Sequence, residues 1–158
     1  MSNPELVRAL SDLTLAVRGG LQMTTITPRR DASVYNSGYG SISGTGTLAC
    51  WSIGAGRSFV LKGYVVTAVV EDTLAVAGGA AGILYFFDDD DSDRVVAPIG
   101  AFDGDAAIGV SCNRDVPDLG SGVRGSAAGS DLKIKFNQDI TSGNIGVAWC
   151  VWGDEVNA

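Results

Sequence analysis

Apolar and polar positions along this chain alternate in short runs rather than in helical periods. From residue 21 onward, eight apolar runs of strand length are separated by clusters of glycine, aspartate, asparagine and serine, which favour turns. The runs cover residues 21–27, 47–53, 59–70, 83–87, 95–99, 108–112, 132–136 and 145–152. Eight short strands over about 130 residues predict an all-β fold, a jelly-roll-like antiparallel sandwich. The pattern predicts a flexible loop or an irregular edge over residues 36–46. It predicts a long surface loop over residues 115–131.

The last run differs from the others because both of its faces are apolar. In a strand, Ile145, Val147, Trp149 and Val151 would point to one side, and Ala148, Cys150 and Trp152 to the other. The preceding run, 132–136, has one apolar and one charged face, which is all that an antiparallel strand in a small domain usually needs. The second apolar face predicts another layer of the same chain or another subunit. We therefore expect an oligomer interface at Trp149, Val151 and Trp152.

The first 20 residues have helical periodicity instead. Apolar residues recur at spacings of 4, 3 and 4 at Leu6, Leu10, Leu13 and Val17. Asn3 is a suitable cap, and the glycines at 19 and 20 are a suitable stop. A strand beginning near Leu13 is the alternative. The pattern predicts an amphipathic helix over 1–20 that serves attachment or oligomerisation, followed by a β-sandwich domain over 21–158.

Composition supports the all-β prediction and limits the partners. The chain of 158 residues has 22 glycines and far more aspartate than glutamate, a balance that favours turns over helices. Its net charge of −7 argues against nucleic acid as a partner, because phosphates require clustered Lys and Arg. We expect no membrane span, because no apolar run reaches 18 residues, and no signal peptide.

Catalytic chemistry has little support in the sequence. The chain contains no histidine, which excludes Ser-His-Asp and Cys-His catalysis and every histidine-containing metal site. No phosphate-binding glycine motif is present. Two alternatives to a non-enzymatic protein remain. Asp103 and Asp105 could serve as the paired carboxylates of an acidic hydrolase. The three tryptophans, Trp51, Trp149 and Trp152, could form the stacking platform of a carbohydrate-binding module that takes a glycan.

An acidic run at 88–93 is the candidate metal site. Asp89, Asp91 and Asp93 match the first three ligand positions of a calcium loop, but Arg94 stands where that loop needs glycine. The other interpretations are a solvated turn and a charged guard against edge pairing. Calcium is thus the single cofactor that the sequence suggests, and otherwise we expect none.

The three cysteines, Cys50, Cys112 and Cys150, lack the spacing of a zinc site. Cys50 precedes a tryptophan and Cys150 follows one, each within an apolar run. This context predicts that both are small buried hydrophobic residues. A disulfide between them would require neighbouring strands. We expect the reduced form.

Three segments give the chain a family resemblance: residues 56–64, residues 83–88 and the closing hairpin from 132 to 155. In their layout, residues 46–155 resemble the jelly-roll modules of tailed-phage virion appendages, which include head-decoration proteins, head fibres and receptor-binding tips. The resemblance implies a non-enzymatic homotrimer that is made in the host cytoplasm, becomes part of the virion, and binds the capsid, another virion protein or a host surface. The helix predicted over 1–20 resembles the attachment segment of such proteins. No family binding residue can be assigned, because no residue-level motif is shared.

Overall fold

The computed structural model describes residues 32–158, except for the side chains of residues 91–93. The predicted helix over 1–20, with Leu6, Leu10, Leu13 and Val17, and the predicted strand over 21–27 lie outside the described residues. The described residues form nine strands: β1 (Val34–Gly44), β2 (Thr47–Trp51), β3 (Arg57–Val76), β4 (Gly82–Asp88), β5 (Asp91–Phe102), β6 (Ser111–Val116), β7 (Val123–Arg124), β8 (Leu132–Phe136) and β9 (Ile140–Asn157). A short 3-10 turn, Ala77–Gly79, follows β3.

The strands form two antiparallel sheets. In sheet A the order is β1-β9-β3-β6, with β7 paired to β3, and in sheet B it is β2-β8-β4-β5. Every pairing between described strands is antiparallel. The jelly-roll-like antiparallel sandwich predicted from the sequence is therefore confirmed.

The core lies between the inner faces of the two sheets. Sheet B contributes the apolar side of β8 and the alternate residues Leu84 and Phe86 of β4, which are fully buried. Sheet A contributes Phe59 and Val66 of β3 and the inner side of β9. Each such side chain stabilises the fold by roughly 1.5–3 kcal/mol when it is removed from water.

The sequence placed most strands correctly but missed β1. The residues 36–44, expected to form a flexible loop or an irregular edge, lie in an eleven-residue strand at one edge of sheet A. Its inward positions include Gly38 and Gly40, where an added Cβ would lie 2.5 Å from the Trp149 ring and 2.7 Å from the Leu48 side chain. The side chains of other strands thus fill the space on the inner side of β1. The sequence of β1 itself therefore needs no alternation of apolar and polar residues.

The predicted surface loop at 115–131 runs along β3 instead of standing free. The backbone N–H groups of Leu119, Gly125 and Gly129 donate to carbonyl oxygens of β3 at 2.7–2.9 Å. The short strand β7 forms within this segment. These bonds tie the segment to the edge of sheet A.

Candidate functional site

The last strand, β9, has the two apolar sides that its sequence predicts. Val151 points into the sandwich core and is 0% exposed, and Trp149 packs on the same side, against the position of Gly38. Trp152 points to the outer side but is 1% exposed, with its indole on Gly63, where a Cβ would lie 2.5 Å from the ring. Val151 and Trp152 are thus already buried within one chain. Their assignment, with Trp149, to an oligomer interface stays a prediction.

The outer face of sheet A, as we call the side away from the core, is uncharged in its middle. We define it by the outward residues in the middle of its three long strands: Tyr35, Ser37, Tyr39 and Ser41 of β1, Ala148, Cys150 and Trp152 of β9, and Val65, Thr67 and Val69 of β3. Beyond Trp152, the Lys62 ammonium and the Asp154 carboxylate form an ion pair at 2.7 Å. Tyr35 is 47% exposed and Tyr39 is 62% exposed. An outer sheet face that met only water would carry many more charged side chains.

The Glu71 carboxylate lies at the opposite end of this face from Asp154. It receives hydrogen bonds from the Tyr39 hydroxyl, from the Ser41 hydroxyl at 2.7 Å and from the Asn144 amide at 2.6 Å. Its side chain covers Gly146, where a Cβ would lie 2.5 Å from the carboxyl carbon. The charge, carried by β3, is therefore held against the sheet by hydrogen bonds from β1 and β9, and the sequence contained no motif that indicated this cluster.

The outer face of sheet B combines two aromatic rings with a lysine. The Lys135 ammonium lies 4.8 Å from the ring centre of Phe87 and 5.5 Å from that of Tyr85, in cation–π geometry. The rings are almost completely buried, whereas Ile83 and Val95 beside them are about half exposed. An open cleft of about 360 Å³, lined by Tyr85, Lys135 and the loop at 137–139, adjoins this patch.

Asp88 is a fully buried carboxylate at the end of β4. It accepts hydrogen bonds from the backbone N–H of Ser126 at 2.5 Å, from the backbone N–H of Asp90 at 3.3 Å, and from the Ser130 hydroxyl. The Arg94 guanidinium completes the site at 3.2 Å. Burial alone would raise the pKa of Asp88, but these hydrogen bonds outweigh it and lower the pKa.

This cluster joins the β4–β5 hairpin to the loop at 126–130. The Arg94 guanidinium also donates to the carbonyl of Arg124 at 2.7 Å, which extends the junction to β7. The partners of the Asp88 carboxylate come from β5, the β4–β5 turn and the loop at 126–130, so the carboxylate anchors these elements to one another. The sequence offered a signal for it, because Leu84, Phe86 and Asp88 follow the two-residue period of the inner side of β4.

The calcium prediction at Asp89, Asp91 and Asp93 is not tested. Asp89 forms an ion pair with Lys133 at 2.8 Å, and the side chains of the other two residues lie outside the description. Among the side chains that are described, no cluster of three or more metal-binding groups occurs.

The residues of the two alternative functions are placed as follows. Asp103 and Asp105 lie on an exposed turn that is closed by a hydrogen bond from the Ala106 N–H to the Asp103 carbonyl at 3.2 Å. Trp51 is buried beside Phe59, with its indole N–H bonded to Glu155 at 3.1 Å, and Trp152 is buried on the other side of sheet A. A carbohydrate-binding platform needs exposed tryptophans. Two of its three candidate rings, Trp51 and Trp152, are buried.

All three cysteines are free. Cys50 is buried in β2 of sheet B, whereas Cys150 lies on the outer side of β9 in sheet A. Burial raises the pKa of the Cys50 thiol well above its usual range. Because the two residues lie in different sheets, their strands are not neighbours, as a disulfide between them would require.

No protein-family model matches the chain, and none of the curated proteins matches it. Among solved structures, it is similar to a capsid chain of Helicobacter pylori bacteriophage KHP30, with 12% identity over 80% of this chain and 96% of that chain, at a TM-score of 0.41. A capsid chain of cyanophage Pam1 has 12% identity over 76% and 82%, at a TM-score of 0.35. The coat protein of Tobacco streak virus has 12% identity over 77% and 85%, at a TM-score of 0.34. These neighbours are viral capsid or coat proteins. In the described part of the chain, no helix has the length and apolarity to cross a membrane.

Proposed function

We propose that this chain is a non-enzymatic structural protein of a virion, a capsid-decoration or fibre module that assembles with copies of itself. The oligomer we propose is a trimer, and the partner is the capsid, another virion protein or a host surface. The observation that carries the proposal is the outer face of sheet A. A sandwich that acted alone would expose this uncharged strip to water, whereas an assembling module would bury it.

Position 148 is the most direct probe of this face. Ala148 is exposed and lies between Tyr39 of β1 and Thr67 of β3 in the sheet register. An aspartate there is solvated in the isolated chain but becomes an unpaired charge in a contact between copies, which costs several kcal/mol. Val151→Asp is a poorer probe, because Val151 lies in the core and its replacement would unfold the chain.

The experiment compares Ala148→Asp with Ala49→Asp, an exposed alanine on the outer side of β2 in sheet B. Light scattering should give the molar mass of an assembly for the wild type and for Ala49→Asp. It should give a lower molar mass for Ala148→Asp. Wild-type protein that is monomeric at micromolar concentration, or an Ala148→Asp variant that keeps its full mass, would contradict self-association through this face.

The virion role has its own test. Purified virions analysed by mass spectrometry and immunogold labelling should contain the chain in many copies at the capsid surface or on a fibre. Its presence in infected cells but not in purified virions would refute the structural role, whatever its oligomeric state.

A further inference from the structure

The four sheet edges among the described strands are not equally protected against pairing with other chains. The edge strand β5 carries Arg94 and Pro98 and has three register shifts against β4. The edge strand β6 carries Arg114 and Asp115 and is followed by Pro117. The edge strand β2 has five residues and a register shift after Ala49. Charge, proline, bulges and short length are the usual protections of an edge.

The edge strand β1 has none of these protections over most of its length. Its eleven residues include no charged residue and no proline. Its register with β9 is regular from Val34 to Ile42, and the one shift follows Ile42. A long, regular and uncharged edge is a template for another β-strand.

The sequence of β1 is also complementary to itself. Residues 37–41 read Ser-Gly-Tyr-Gly-Ser in both directions. If two copies paired antiparallel about Tyr39, each Tyr39 would face its counterpart, Ser37 would face the second copy's Ser41, and Gly38 would face the second copy's Gly40. The Tyr39 side chain is 62% exposed, and its hydroxyl donates to Glu71 of the same chain.

We propose that β1 is an interface between two copies of this chain, paired antiparallel about Tyr39 across a two-fold axis. The pairing uses residues 36–42, the regular part of the strand. It gives the edge backbone groups of β1, which have no strand partner among the described residues, partners in the other copy. In this register outward residues face outward residues, so that sheet A continues from one copy into the next. The two tyrosines then form a directly opposed aromatic pair.

This contact deepens the self-association in the proposed function, but it is made by the backbone edge of β1, whereas Ala148→Asp probes the outer face, to which Tyr35 and Tyr39 also belong. If the outer face forms the three-fold contact of a trimer, this two-fold contact would join one trimer to a second. Its test is the pair of variants Tyr39→Lys and Tyr35→Lys. Both tyrosines are exposed on the same side of the same strand, but only position 39 faces itself.

In Tyr39→Lys, two ammonium groups stand directly opposite each other, which destabilises the pair. Sedimentation of the full chain should give an even-numbered wild-type assembly and half that mass for Tyr39→Lys, with a dissociation constant raised about tenfold. Tyr35→Lys, which also adds a charge to the outer face, should raise the dissociation constant less than Tyr39→Lys does. The proposal would be overturned by a monomeric wild type, since the edge would then be left to a different protein. Equal effects of the two variants would also overturn it.

A cross-link tests the register without weakening the contact. Under mild oxidation, Tyr39→Cys should form a disulfide-linked dimer, because the two position-39 side chains come within reach of a disulfide. Tyr35→Cys, which carries the same native Cys150, should remain uncross-linked. Equal cross-linking of both would refute the register. If these results fail while Ala148→Asp still dissociates the assembly, the proposed function stands without this contact. If the chain is missing from virions while the Tyr39 variants behave as expected, the contact stands without the virion role.

Discussion

The buried carboxylate of Asp88 provides the sharpest test of what holds this sandwich together. Asp88→Asn keeps the size and shape of the side chain but removes its charge. The new amide group also brings two N–H donors into a site that already contains four donors, from Ser126, Ser130, Asp90 and Arg94. At least one buried donor then loses its acceptor, and the Arg94 guanidinium loses its counter-ion.

The expected cost follows from these contacts. A hydrogen bond to a charged group contributes about 1.5–3 kcal/mol, and the loss of one partner of a buried ion pair costs about 3–5 kcal/mol. Because the bonds share one carboxylate, they are not additive. We expect Asp88→Asn to lower the free energy of unfolding by about 3–5 kcal/mol at pH 7, a large part of the roughly 5–15 kcal/mol typical of a domain.

The cost should depend on pH in one direction. The pKa of Asp88 is lower in the folded chain than its usual value of about 3.9. Its contribution to stability is therefore complete above roughly pH 5 and decreases as the pH falls toward the folded-state pKa. At pH 3 the wild type has lost up to about 1 kcal/mol of this contribution, whereas Asp88→Asn has none to lose.

Urea unfolding followed by tryptophan fluorescence at pH 7 and pH 3 measures both effects. The control is Asp89→Asn, next to Asp88 in sequence, because the Asp89 carboxylate is exposed and pairs with Lys133. We expect that variant to cost less than about 1 kcal/mol. The reasoning is refuted if Asp88→Asn costs no more than Asp89→Asn, or if its cost increases as the pH falls from 7 to 3.

Two further outcomes follow from packing. Gly63→Ala should lower the free energy of unfolding by about 1–3 kcal/mol, because its Cβ would lie 2.5 Å from the Trp152 ring. Gly54→Ala, with open space at its Cβ, should change stability little. Thermal unfolding of both variants measures the difference, and a similar loss in both would contradict this account. In the native chain, a thiol reagent should modify Cys150 before Cys50, because Cys50 is more deeply buried and burial raises its pKa. Equal rates would show that β2 opens or packs differently.

The two-residue period of the chain was enough to predict the sandwich and most of its strands. β8 coincides with the predicted run because Leu132, Ile134 and Phe136 alternate with two lysines on one strand. The same period extends through β4 to Asp88, so even the inward direction of this carboxylate was present in the pattern. Such local alternation survives folding because neighbouring side chains of a strand must point to opposite faces.

Other features depend on residues far apart in the sequence. β1 looked like a loop because the groups that fill the space above Gly38 and Gly40 belong to Trp149 and Leu48. The hydrogen-bond partners of Glu71 come from positions 39, 41 and 144, and those of Asp88 from as far as position 130.

The sequence by itself therefore determined most of the strands and which side of most of them is apolar. The tertiary structure alone decided which strands are neighbours, and with that which edge and which face remain open to another chain. Alternation is a property of consecutive residues, whereas an open edge or a filled gap is a property of pairings between strands. No local pattern encodes those pairings, because each depends on the packing of the whole sandwich.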